Sequence, residues 1–143
     1  MELSEIHPQL LADCHHLGAL PASHLLLHRN ALLPWFILVP DTRLGDFLDL
    51  PEHHRNRVLV ECSAVSDFIK QLLGFDKVNF AGLGNVVPQM HLHIIGRRDT
   101  DPCWPQPVWG NLSASVDYER QQLLDWQADL AKLVGLAPAQ TGL

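Results

Sequence analysis

Apolar and polar positions alternate most sharply from Gln89 to Ile95. As a β-strand, this stretch puts Gln89, His91, His93 and Ile95 on one face and Met90, Leu92 and Ile94 on the other. The second face is purely apolar and calls for a core, whereas the first sets an amide beside two imidazoles. Pro88 fits the start of such a strand, where a missing N–H costs least. Two further apolar runs, Leu25-Leu26-Leu27 and Phe36-Ile37-Leu38-Val39, predict a strand pair over His24–His28 and Trp35–Val39. Arg29 to Pro34 joins them and Pro40 closes them. Phe75 to Phe80 supplies another strand, which a short Gly-containing turn should pair antiparallel with the strand from Gln89.

Three stretches follow helical spacing instead. Pro8 to Leu17 predicts a short helix with Pro8 in its first turn and Gly18 at its end. His15 and His16 then point about 100° apart and are expected at the surface. After the polar connector Asp41 to Leu50, Pro51 opens the longest helix. Its buried stripe is Leu59, Cys62, Val65, Ile69 and Leu72 or Leu73, with Gly74 as C-cap. Glu52 to Arg57, including His53 and His54, is its solvated first turn. The last helix runs from Tyr118 to Val134, with Leu123, Trp126, Leu130, Leu133 and Val134 as its apolar stripe and Gly135 at its end. The sum is an α+β fold: an antiparallel sheet of about five strands with two or three helices on one side.

A length of 143 residues fits a single domain, 1–143, with a core over about 7–98. Residues 99–143 then form a Pro/Trp loop and the last helix. Hydrophobic content of 47% with 18% charged residues is a globular balance and argues against disorder. A net charge of −6 disfavours a non-specific nucleic-acid binder, which needs a basic face. Cys14, Cys62 and Cys103 are odd in number and form no C-x-x-C, so neither a disulfide frame nor a zinc ribbon is expected, and a reducing cytoplasm is the natural inference. Neither a secretory signal nor a membrane-spanning run is legible.

The chemistry is concentrated around the His-x-His strand. Two histidines at i, i+2 can chelate a metal, or one can act as nucleophile or general base while the other orients it. Asn79, Gly82, Gly84 and Asn85 crowd the loop upstream, and Arg97 and Arg98 follow directly. A Gly/Asn turn presents backbone N–H groups that suit an anion such as phosphate. A third metal ligand is hard to find, because Gln89 is a poor one and the strand holds no Asp or Glu. Imidazole beside a phosphate cradle favours phosphorus chemistry.

Gln89 to Ile95 resembles the signature of the histidine triad (HIT) family, His-φ-His-φ-His-φ-φ with φ apolar, with glutamine in place of the first histidine. Asn79-Phe80-Ala81-Gly82-Leu83-Gly84-Asn85 looks like the family's phosphate loop, and Gly96-Arg97-Arg98 like its strand exit. The resemblance runs from about Leu25 to Arg98.

The resemblance implies a nucleotide hydrolase or transferase acting at an α-phosphate, on a phosphoanhydride or phosphoramidate of a purine nucleotide or dinucleotide. His91 takes the place of the nucleophile that forms a nucleotidyl-histidine, its other ring nitrogen held by an acceptor, with a backbone carbonyl the expected one. His93 would donate to a phosphate oxygen. Asn79, Gly84 and Asn85 would hold the non-reacting oxygens. His28 and Arg29 sit where relatives line the base and ribose pocket. Gln89 can replace the structural hydrogen bond of the first histidine but cannot titrate near neutral pH. Relatives often carry one more histidine after the hairpin proline, and here Pro34-Trp35-Phe36 lacks it. No resident metal or cofactor is implied, although Mg²⁺ could accompany the substrate. The two tryptophans of the Pro/Trp loop, Asp101 to Gly110, either seal a core edge or lie at an interface. The family also implies a symmetric homodimer in which the segment after the triad reaches the partner's site, so this loop is expected at the interface. The alternative is a nucleotide-binding protein of the same fold with little turnover.

Overall fold

A strand that is apolar at every position needs cover on both faces. Trp35–Pro40 is such a strand, buried throughout, and it lies inside an antiparallel sheet of six strands in the computed structural model, which describes residues 1–140. The strands are β1 (Cys14–Ala19), β2 (Ser23–His28), β3 (Trp35–Pro40), β4 (Lys77–Gly82), β5 (Leu92–Arg97) and β6 (Ala137–Pro138). Their order across the sheet is β4-β5-β3-β2-β1-β6. The helices are α1 (Pro8–Asp13), α2 (Glu52–Asp67) and α3 (Arg120–Val134).

Alternation along the strands feeds two separate cores. Leu25, Leu27, Phe36, Leu38, Leu92 and Ile94 face α2 and α3. There Phe36 lies in an aromatic group with Phe68 and Trp126, at ring-centroid distances of 5.9 and 5.8 Å. Leu26, Trp35, Ile37, Val39 and Ile95 point the other way. They meet Leu10 of α1 together with Cys103 and Val108 of the loop after β5.

The helix expected over Pro8–Leu17 ends at Asp13, and the chain from Cys14 continues as β1. Cys14 pairs with His28, His15 with Leu27 and His16 with Leu26, so a sheet partner overrides a helical spacing that is satisfied only locally. His15 and His16 are half-buried strand residues rather than surface ones: His15 Nε2 lies 2.7 Å from Asp117, and His16 Nε2 lies 2.9 Å from Nδ1 of His24. The helix α1 packs on the face opposite α2 and α3, so the helices are not all on one side.

The stripe of the long helix keeps the expected Cys62, Val65 and Ile69 and differs at its two ends. Val58, Glu61, Cys62 and Val65 are buried, while Leu59 is 37% exposed. A π-helical turn over Phe68–Leu72 continues α2, burying Phe68 and Ile69 and leaving Leu72 exposed. In α3 the buried positions are Leu123, Gln127 and Leu130 with Trp126 packed beside them, and Leu133 is 59% exposed. Gly135 closes the helix in the left-handed conformation that glycine adopts without a Cβ penalty.

Gly96 marks the tightest packing on β5. A Cβ there would stand 2.6 Å from Pro34 and 2.8 Å from Ile69, so only glycine lets β5 lie this close to both. Among the described residues, no helix is long and apolar enough to cross a membrane.

Candidate active site

Register between distant strands assembles the site. Leu27 opposite Phe36 sets His28 beside Trp35, and Ile37 and Ala81 flank His93 from β3 and β4. His91 precedes the first ladder residue of β5, and its ring centroid lies 5.0 Å from that of His93. Both imidazoles are buried, at 8% and 4% exposure.

Each ring has a fixed partner. The Nδ1–H of His91 donates to the backbone carbonyl of Gln89 at 2.7 Å. That orientation leaves Nε2 with a lone pair. His93 accepts at Nδ1 from the indole N–H of Trp35, 2.9 Å away. Burial, then the neighbouring His91 and His28, push the His93 pKa down to about 3, so the ring is neutral at physiological pH. His28 accepts the backbone N–H of Asn30 at Nδ1, 3.1 Å away, and burial lowers its pKa as well.

A cavity of about 360 Å³ opens in front of these rings, walled by Leu10, Cys14, Ile37, Trp109 and the Gly84–Val87 turn. Burial, reinforced by Asp13, pushes the Cys14 thiol up to about 12, which makes it an inert wall rather than a nucleophile. A second hollow of about 530 Å³ shares Leu83, Gly84 and His91 and extends toward Gly45–Asp49. His91 therefore stands between two spaces. Gly84 has φ +69°, the left-handed value that turns the loop back toward His91.

The loop after β5 is held by Arg97, which is almost fully buried. Its guanidinium donates to Asp101 through Nε at 2.7 Å and Nη2 at 3.1 Å, to the Gln106 carbonyl at 2.8 Å and to Asn79 Oδ1 at 2.9 Å. Burial opposes ionisation of Asp101, but hydrogen bonds from Arg97 and from the Arg98 and Cys103 backbones hold its carboxyl below the usual range. This anchor carries Trp109 onto the site, edge to face with His93 at 4.9 Å and with Trp35 at 5.8 Å.

His28, Gly84, Asn85, His91 and His93 thus meet around one cavity. Asn79 spends its amide oxygen on Arg97. Arg29 turns outward, with Nη1 3.5 Å from Asp117 and Nε on the Ala12 carbonyl. Gln89 points its side chain away from the imidazoles: Oε1 accepts the His7 N–H at 2.7 Å and Nε2 donates to the Glu5 carbonyl at 2.9 Å. Among the described residues, no three His, Cys, Asp or Glu side chains gather as a metal site.

Trp35, Trp109 and the α1 residues Gln9, Leu10 and Asp13 are the wall members that the pattern alone did not reveal. For Trp35 the signal was available. It stands two residues before Ile37 on the same strand face, and therefore on the face that carries His93.

The HIT domain model matches residues 10–100. No curated protein sequence matches the chain significantly. Three solved structures are similar over nearly their whole length. A histidine triad protein from Marinobacter aquaeolei is 41% identical, covering 93% of this chain and 98% of that one with a TM-score of 0.84. One from Bradyrhizobium japonicum is 35% identical, with 91% and 97% coverage and a TM-score of 0.84. One from Sinorhizobium meliloti is 29% identical, with 90% and 95% coverage and a TM-score of 0.83. The fold agrees with these likenesses, and the chain belongs to the HIT domain family.

Proposed function

We propose that this protein is a nucleotide hydrolase that cleaves a phosphoanhydride or phosphoramidate at the α-phosphate of a purine nucleotide or dinucleotide. The observation that carries this reading is the orientation of His91, whose Nδ1–H is tied to the Gln89 carbonyl while its ring borders the cavity. The Nε2 lone pair forms a bond to phosphorus as the bond to the leaving group breaks, giving a nucleotidyl-histidine. Water then attacks that phosphorus, the P–N bond breaks, and the nucleoside monophosphate leaves. His93 donates Nε2–H to a phosphate oxygen, and the Gly84–Asn85 turn offers further donors to charge developing on the others. The nucleoside lies along His28, Leu10 and Cys14. These residues require no resident metal, and a substrate could bring Mg²⁺ with it. A homodimer with the Pro/Trp loop at its interface belongs to the same reading.

The test is turnover of adenosine and guanosine substrates, dinucleoside polyphosphates and phosphoramidates among them, by the wild type and His91→Ala. Monophosphate release should fall by at least about 10⁴-fold in the variant, because a nucleophile has been removed. Binding of a nucleoside monophosphate should persist. A wild type that binds nucleotides but releases nothing would identify a binding protein of the same fold instead.

A further inference from the structure

We propose that Trp35 is a positioning residue that sets the tautomer of His93, and with it the hydrogen-bonding pattern the cavity presents to a ligand. An indole N–H can only donate. At 2.9 Å from Nδ1 of His93 it requires a lone pair on that nitrogen, so the proton of the neutral ring sits on Nε2. The neighbouring ring is set the opposite way. A carbonyl can only accept, so the Gln89 carbonyl fixes the His91 proton on Nδ1 and leaves the lone pair on Nε2. Two imidazoles 5.0 Å apart therefore offer one lone pair and one N–H, each assigned by a different partner. A phosphoryl group needs this pair, an attacking lone pair beside a donor for its oxygen. Two identical tautomers would offer two lone pairs or two donors.

The indole is itself immobilised. It stacks on His28 with centroids 4.2 Å apart and planes 10° from parallel, and Trp109 meets it edge to face. The groups facing His93 and its neighbours are His91, His28 on β2, Ala81 on β4, Trp109 on the loop, and Asp13 and Cys14 across from His28. Asp13 is the one carboxylate among them. Trp35 occupies the position after the hairpin proline where the sequence lacks a further histidine, and its N–H supplies a donor there.

The tautomer assignment stands on geometry alone, whereas its effect on turnover rests on the hydrolase reading. Two variants test it: Trp35→Phe, and incorporation of 3-benzothienylalanine at position 35, which keeps the indole's shape but replaces N–H by sulfur. In the wild type, long-range ¹H–¹⁵N spectra of the imidazoles should show His93 protonated on Nε2 only. Both replacements should shift it to a mixture or to the Nδ1–H form, with His91 unchanged. An unchanged His93 in either folded variant overturns the proposal, whatever the turnover. With an active wild type, kcat should fall by up to about 10²- to 10³-fold, the scale of losing one oxyanion donor, with KM within about threefold. A fall in kcat with the His93 tautomer unchanged would instead mark Trp35 as a packing residue. If the wild type turns over nothing, the hydrolase reading fails and the spectra still decide the role of Trp35.

Discussion

The two faces of the sheet are built from the same strands and solve burial in opposite ways. Toward α2 and α3 the sheet presents mainly apolar side chains, and the buried polar groups there come from the helices: Glu61 accepts from the Ala22 N–H and Gln127 donates to the Leu17 carbonyl. Toward α1 and the loop after β5, the alternate positions of the same strands bring in His28, Trp35 and His93, under cover of a short helix and irregular chain. The helical face relies chiefly on shape complementarity, and its two buried polar side chains bond only to main chain. The other face buries polar rings, so each must find a partner, and the partners dictate where protons sit. Stability and chemistry are thus separated by one residue along a strand: Phe36 points into packing and Trp35 into the site.

Breaking the packing face gives the largest expected change in stability. Phe36→Ala should cost about 3–5 kcal/mol, the range for emptying a large aromatic site, measured by urea denaturation. In the surviving folded fraction the imidazole spectra should match the wild type. A change in the His93 tautomer would show that the faces are coupled rather than separate.

Acid should act on the opposite face. The His93 pKa is lowered from 6.5 to about 3 on folding, so between those values the unfolded chain binds more protons than the folded one. Stability is therefore full above about pH 6.5 and declines as pH falls toward about 3, by up to about 1.4 kcal/mol per pH unit from this group. His28 and His16, also lowered by burial, act in the same direction. Denaturation midpoints recorded between pH 7 and 4 should show the decline, and His93→Gln should flatten it. An equal slope in the variant would assign the acid sensitivity elsewhere.

The smallest effect is expected at Gln89. Gln89→Ala removes two hydrogen bonds to the segment before α1 and should cost about 1–2 kcal/mol. The His91 ring should keep its proton on Nδ1. Displacement of that proton would mean that the amide side chain, and not the carbonyl, governs the ring.

What was legible in the sequence follows from how local each determinant is. β2 and β3 could be read because apolar runs and flanking prolines lie within a few residues of one another. The glycine turn and His-x-His strand likewise carry their pattern in adjacent positions. β1 could not be read, since Leu10, Cys14 and Leu17 satisfy a helical repeat and only pairing with β2 makes the second half a strand. The two-residue β6 holds no periodicity at all and exists through its pairing with Gly18 and Ala19. The π-helical turn over Phe68–Leu72 buries Phe68 and leaves Leu72 exposed at the end of the long helix, which a 3.6-residue repeat does not anticipate. At the site, the histidines and the turn were visible, whereas the roles of Asn79 and Arg29 depend on Arg97 and Asp117, 18 and 88 positions away. Trp109 reaches His93 only because Arg97 ties down the loop between them.

The carbonyl of Gln89 has a consequence for how this site can vary over time. Every amino acid carries that oxygen, so no codon change at position 89 can delete the atom that orients His91. Drift at this position instead alters how the N-terminal segment is fastened beside the cavity. A motif spelled in side chains therefore misplaces its first letter: what the His91 ring requires of residue 89 is main chain, and the side chain there is free to be selected for grip.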